Sequence, residues 1–198
     1  MIYVPFGVAV AAAIARASFL IVALERDDFE FWPPPRKGAW QESTFWGLFR
    51  VYCGATIVTA FVDPTNFGWE FWGRLLPGVA LLAAGAVMTL YGYLFLGLDN
   101  TYGRRAGLVT DGMYAYSRNP QYIASVAATA GLALTLDSPL TLVLAAGLHG
   151  LYTLFALNEE RWLFDRYGAP YLDYTRRVPR FLGIRSVARA YAELAGRL

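Results

Sequence analysis

Long uncharged runs of apolar residues, broken by short polar stretches, set the pattern of this chain. Five runs stand out, at about 3–24, 43–62, 75–98, 121–136 and 140–157. A helix crossing about 30 Å of hydrocarbon needs about 20 apolar residues at a rise of about 1.5 Å each, so each run reads as a membrane span. The third is the clearest, running without charge from Leu75 through Pro77, Gly78 and Gly85. The last two are separated only by Asp137, Ser138 and Pro139, residues that turn the chain between two antiparallel helices. The expected fold is therefore an all-α integral membrane protein of about five transmembrane helices, followed by a cytoplasmic helical tail over 158–198. In that tail Ile184, Val187, Tyr191, Leu194 and Leu198 fall on one helical stripe and Arg185, Arg189 and Arg197 on another. A helix of that kind lies on a membrane surface.

Composition supports the membrane class, with 57% of the 198 residues apolar and 16% charged. Five spans leave room for loops and a tail only, so a single domain over 1–198 is expected. Basic residues fix an orientation, since they stay on the cytoplasmic side. Loop one carries Arg26, Arg36 and Lys37, loop three carries Arg104, Arg105 and Arg118, and the tail carries eight arginines, whereas the other side has Arg74 alone. The N-terminus is then outside, and the third loop and tail are cytoplasmic. No Lys or Arg precedes the first run, which reads as a retained span rather than a secretory signal. Aromatic residues cluster at the expected borders, Phe29, Phe31, Trp32, Trp40, Phe45 and Trp46 inside and Phe67, Trp69, Phe71 and Trp72 outside, where rings favour the headgroup layer. A net charge of +2 with dispersed basic residues does not point to nucleic acid. Cys53 is the sole cysteine, which rules out an intrachain disulfide and leaves no basis for a metal site.

Two polar stretches on the inner side are richer than connectors need to be, 107–122 and 158–181. Asp111 and Gly112 make a turn that bares backbone N–H groups, and Pro120 starts a helix where its missing donor costs nothing. Arg118 and Asn119 sit at that helix entrance, a donor fork and an amide suited to an anion. Glu159 and Glu160 fall at the end of the fifth run, where negative charge meets the negative end of the helix dipole. An arginine or bound cation is expected beside them. Arg16 and Arg50 lie inside the first two runs with no acid in either, and read as functional charges or as side chains snorkelling to phosphates. His149 reads as a polar packing residue, and Tyr167, Tyr171 and Tyr174 either line a pocket or anchor the tail. Small-residue spacings such as Ala124 to Ala128 and Ala127 to Gly131 suit close helix contacts or a dimer face, and oligomeric state is not legible.

The run Leu108-Val109-Thr110, then Gly112 and Tyr114, then Arg118-Asn119-Pro120 and Tyr122, resembles the isoprenylcysteine carboxyl methyltransferase family. Glu159-Glu160 with Leu163, Tyr167-Gly168, Tyr171, Tyr174 and Val178-Pro179 extend the resemblance, so that it covers about 104–181. Phospholipid N-methyltransferases share parts of it. Two positions depart from the eukaryotic pattern, Asn119 and Ala106 standing where His is found; an amide still hydrogen-bonds but does not titrate near neutrality.

The resemblance implies S-adenosylmethionine as cofactor and a lipophilic or prenylated acceptor arriving from membrane lipid. It places Leu108, Val109, Thr110, Gly112, Tyr114, Arg118, Asn119, Tyr122 and Glu160 at the cofactor, with Arg118 on its carboxylate and Glu160 on its positive charge. Arg177 would steer an acceptor carboxylate and Glu159 would act as base toward an amine acceptor. The reaction expected first is O-methylation of an isoprenylcysteine-like or other lipophilic carboxylate. The alternatives are N-methylation of a phospholipid or small amphiphile, and a scaffold or transporter that keeps the fold without catalysis.

Overall fold

The computed structural model describes residues 2–96 and 107–196. Arg104, Arg105 and Ala106, the end of the third run at Leu98, and Arg197 and Leu198 lie outside the described residues. Within them the chain is all-helical, 76% helix without a strand. The helices are α1 (Val4–Glu25), α2 (Trp40–Val62), α3 (Phe71–Leu96), α4 (Pro120–Thr135), α5 (Pro139–Tyr167), α6 (Ala169–Arg177) and α7 (Ile184–Ala195), with a 3-10 turn at Gly112–Ala115.

Helix starts follow the expected chemistry. Proline occupies the first turn of α1, α4, α5 and α6, where its missing N–H has no partner to lose. Between α4 and α5 the chain reverses through Asp137 at φ 58, and the Ser138 hydroxyl caps α5 by accepting from Thr141 N at 3.1 Å. Four helices, α1, α2, α3 and α5, are long and apolar enough to cross a membrane. The fourth apolar run forms a helix of 16 residues, about 24 Å long and short of a full hydrocarbon thickness.

That short helix is laid directly on α3, with Gln121 beside Gly92 and Thr135 beside Gly78. A Cβ on Gly85 would stand 2.5 Å from Ala124 O and Ala128 N, and one on Gly78 2.7 Å from Thr135 N. Glycines at these crossings let two backbones touch, which in lipid replaces hydrophobic burial as the source of helix association. The Ala124, Ala128 and Gly131 spacing thus marks a contact within the chain.

α5 is the axis, packed against α1, α2 and α4. Leu20, Tyr52, Leu144, Leu151 and Phe155 are buried where they meet. Side chains on the opposite face of α3, such as Leu90 and Leu94, and Phe61 of α2 are exposed to whatever surrounds the bundle, as membrane spans require. At one end Asp63 accepts from Ser138 Oγ at 2.7 Å and Arg74 pairs with Asp137 at 3.3 Å. Loop one, the 107–119 segment and the tail gather at the other end.

Two expectations change. Phe31, Trp32 and Phe45 are buried, not spread at a membrane border. Trp32 stacks on Phe45 at 3.9 Å and Phe45 meets Phe155 at 5.0 Å, so loop one folds inward as part of the core. The group at the opposite end does stay out, with Trp69, Phe71 and Trp72 all exposed. The second change is at α5, which continues to Tyr167 rather than stopping near Leu157. Glu159 and Glu160 therefore sit two turns inside the helix, away from its dipole end.

Candidate functional site

A cavity of about 180 Å³ opens at the loop-rich end and runs down between α1, α2, α4 and α5. Its mouth is polar. Glu160 on α5 receives Arg180 in a two-point grip, Nε to Oε1 at 2.7 Å and NH2 to Oε2 at 2.9 Å. Arg118, just ahead of α4, reaches the same Oε1 through NH1 at 3.1 Å and also donates to the Tyr171 hydroxyl at 3.2 Å. The expected arginine beside the glutamate pair is thus present twice, although the helix end is not its cause. Side-chain exposure of 11% for Arg118 and 20% for Glu160 makes the pair largely sheltered. Breaking such a pair from one side costs about 3–5 kcal/mol, because the other charge is stranded.

The mouth is held in shape by the segment after α6. Arg118 N donates to Pro179 O at 2.9 Å, and Arg180 O receives both Asn119 Nδ2 at 3.1 Å and Ser117 Oγ at 3.2 Å. Asn119 therefore spends its amide on the backbone that carries Arg180. Tyr174 donates to Tyr114 O at 2.7 Å, and Tyr171, Tyr174 and Val178 pack on Leu108 and Leu163. Burial, and secondarily the charge of Glu160, pushes the Tyr171 phenol up to about 12, so it keeps its proton at neutral pH. The Tyr114 phenol is raised for the same first reason, with Glu159 next. Hydrogen bonding to Glu160 holds the Arg180 guanidinium more firmly charged than usual.

Glu159 faces a different environment one residue away. Trp32 Nε1 donates to its Oε1 at 2.7 Å and the Tyr122 hydroxyl donates to the same oxygen at 2.8 Å. Among the described residues Oε2 accepts no hydrogen bond, which leaves one carboxylate oxygen available to a ligand.

Farther in, the walls turn aromatic. Tyr122 and Tyr152 stack at 4.2 Å, and Arg16 lies among Phe45, Phe49 and Phe155, its guanidinium carbon 4.5, 4.8 and 4.4 Å from their ring centres. Arg16 is 0% exposed and does not snorkel, whereas Arg50 is exposed as a snorkelling side chain would be. A desolvated cation–π contact contributes about 2 kcal/mol, against a penalty of several kcal/mol for taking an ion out of water. The rings offset that penalty without supplying hydrogen bonds.

Of the residues expected at a site, Leu108, Val109, Tyr114, Arg118, Asn119, Tyr122, Glu159 and Glu160 all line the cavity. Thr110 and Gly112 do not; both are exposed. Gly112 has φ 56, and a Cβ there would meet the Phe95 ring at 2.6 Å, so its side-chain-free backbone serves the turn. Arg177 also stays off the cavity, exposed in the last turn of α6 and bonded to Asp173 O at 3.2 Å. Tyr167, Tyr171 and Tyr174 line the pocket. His149 is exposed on α5, its ring 5.0 Å from that of Phe181.

Sequence reasoning missed Arg180 and Trp32 as partners of the glutamates. Arg180 carried one usable signal, its place directly after the Val178-Pro179 motif; Trp32 carried none, since 127 residues separate it from Glu159.

Residues 74–170 match the family model described as phospholipid methyltransferase, the family of isoprenylcysteine carboxyl methyltransferase-like proteins. The cobalt-zinc-cadmium resistance protein CzcN of Cupriavidus metallidurans is 28% identical over 147 residues, 72% of this chain and 65% of that protein. The nickel-cobalt-cadmium resistance protein NccN of Alcaligenes xylosoxydans xylosoxydans is 27% identical over 145 residues, 73% of this chain and 67% of that protein. The chain thus spans about two thirds of the curated relatives it matches. No solved structure matches it.

Proposed function

Because residues 74–170 match the phospholipid methyltransferase family, we propose that the chain is an integral membrane methyltransferase using S-adenosylmethionine. We assign it a lipophilic carboxylate as acceptor, isoprenylcysteine-like or otherwise, drawn from the membrane. The observation that carries this reading is the linked cluster of Arg118, Glu160 and Arg180 at the mouth of an aromatic cavity.

The mouth fits an amino-acid zwitterion. Arg118 Nε is buried without an acceptor, a donor in want of a carboxylate, and Glu160 between two guanidinium groups offers a carboxylate to an ammonium. Leu108, Val109, Tyr114 and Tyr122 give the walls on which a nucleoside would rest. S-adenosylmethionine, when bound, supplies a methyl group on a positively charged sulfur. Arg118 and Glu160 then orient it, and the buried tyrosines exclude water.

For a carboxylate acceptor no proton has to move, since its pKa of about 3.5 leaves it anionic at neutral pH. Positioning is then the main task, an effect that reaches about 7–11 kcal/mol. An amine acceptor is the second reading, favoured by one observation: Glu159 Oε1 is pinned by Trp32 and Tyr122 while Oε2 accepts nothing among the described residues, as a base would need. Glu159→Gln separates the two, slowing an amine acceptor by about a hundredfold or more and a carboxylate far less.

The basic loops and tail lie at the mouth end, and that charge bias supports a cytoplasmic mouth with the N-terminus outside. The relatives' names do not bring a metal site with them: among the described residues no three His, Cys, Asp or Glu side chains converge.

Calorimetric binding of S-adenosylmethionine and its demethylated product to detergent-purified protein tests the proposal. Micromolar binding, lost in Arg118→Ala and Glu160→Ala, is expected. A folded wild type that binds neither compound returns the chain to the scaffold reading.

A further inference from the structure

Arg16 has no task in the cofactor site, yet it borders the same cavity. It is wholly buried in α1, and its Nε, NH1 and NH2 find no acceptor among the described residues. The rings of Phe45, Phe49 and Phe155 pack around its guanidinium carbon. Ring faces balance charge, but a guanidinium directs its N–H bonds in its own plane, and those directions stay unmet. Among the described residues no acid pairs with Arg16, and Glu159 gives its Oε1 to Trp32 and Tyr122. Gln121 Nε2, on the same cavity, is a further buried donor without a partner. The unmet groups named here are all donors, so the missing ligand is an acceptor, and beside an unpaired cation it is an anion.

We propose that Arg16 anchors the carboxylate of an amphiphilic methyl acceptor, gripping its two oxygens with the planar donor fork while the apolar chain lies against the aromatic walls. This rests on the methyltransferase reading and assigns it a residue outside the family's matched segment of 74–170. A carboxylate suits the fork because both are planar and two-pronged. Phe49, only partly buried, is the ring that turns to admit it. On transfer an oxygen–methyl bond forms as the methyl–sulfur bond breaks, leaving an uncharged ester and an uncharged thioether. The ester has no charge to offer Arg16, so the residue that selects the substrate also releases the product.

The test uses the whole detergent-purified chain and three ten-carbon probes, decanoate, methyl decanoate and decyl phosphate, read by tryptophan fluorescence from Trp32, Trp46 and Trp162 at the cavity. Wild type should bind decanoate about tenfold more tightly than the ester. Arg16→Met should abolish that preference while leaving calorimetric binding of the demethylated cofactor product intact, and should melt several degrees higher, since an unpaired buried charge is gone. Arg16→Lys, keeping the charge without the fork, should fall between the two. An undiminished preference in Arg16→Met overturns the proposal. So does tighter binding of decyl phosphate than of decanoate, or a lower melting temperature in Arg16→Met with unchanged selectivity, which assigns Arg16 to packing. Loss of cofactor-product binding in wild type counts against the methyltransferase reading instead, so the two failures are distinguishable.

Discussion

The cavity has an arginine at each end, and the chain treats them in opposite ways. At the mouth Arg118 meets a glutamate and a phenol, and Arg180 doubles the grip on the same carboxylate. At the floor Arg16 meets three phenyl rings and no carboxylate. The mouth is a cluster the protein has largely balanced for itself, and a zwitterionic ligand enters by exchanging partners in it. The floor is balanced only in charge density, with directional donors left over. One cavity thus combines a preformed ionic seat with an aromatic chamber whose unmet groups, on Arg16 and Gln121, are donors, which is the division a polar cofactor and a lipid-soluble acceptor require.

The contrast breaks most severely at Glu160. Its replacement by Ala strands both Arg118 and Arg180, and a loss of about 3 kcal/mol in stability is expected, together with at least a hundredfold loss of cofactor affinity, about 2.7 kcal/mol. Denaturant unfolding and calorimetry measure the two. At the floor, Phe155→Leu removes one ring from Arg16 and should cost about 2 kcal/mol of stability with cofactor affinity unchanged, whereas Glu160→Ala loses both. Tyr171→Phe deletes one acceptor of Arg118 and should weaken cofactor binding by about 1 kcal/mol, roughly fivefold. Arg177→Ala should change stability and affinity by less than about 0.5 kcal/mol, because its side chain is exposed and off the cavity; a larger loss would give the mouth a contributor that the geometry does not.

Much of the fold was legible because membrane solvent imposes a local rule: a run of apolar residues must be a helix, wherever it later packs. The Asp137 to Pro139 reversal and the proline-started helices were readable for the same reason, each being settled by its own few residues. The matched motif delivered twelve cavity-lining residues, among them the Arg118 and Glu160 pair. It delivered Thr110 and Gly112 as well, since a motif records residues that serve the backbone turn together with those that face a ligand; Arg177, chosen beside the motif, also lies off the cavity.

The aromatic residues of loop one show the limit most plainly. Their sequence is indistinguishable from a border belt, and the group around Trp69 indeed stays exposed. Whether such rings face lipid or fold inward depends on which helices leave a gap, and here α1, α2 and α5 leave one that Phe31 and Trp32 fill against Phe45 of α2. The sequence by itself determined the spans, the turns and the residue types at the site, because those follow from local free energies of burial and backbone geometry. Tertiary structure alone decided that Trp32 reaches Glu159, that Arg180 shares Glu160 with Arg118, and that Arg16 is enclosed by rings. Those are contacts between positions far apart in the chain, and their energies exist only once the helices have packed.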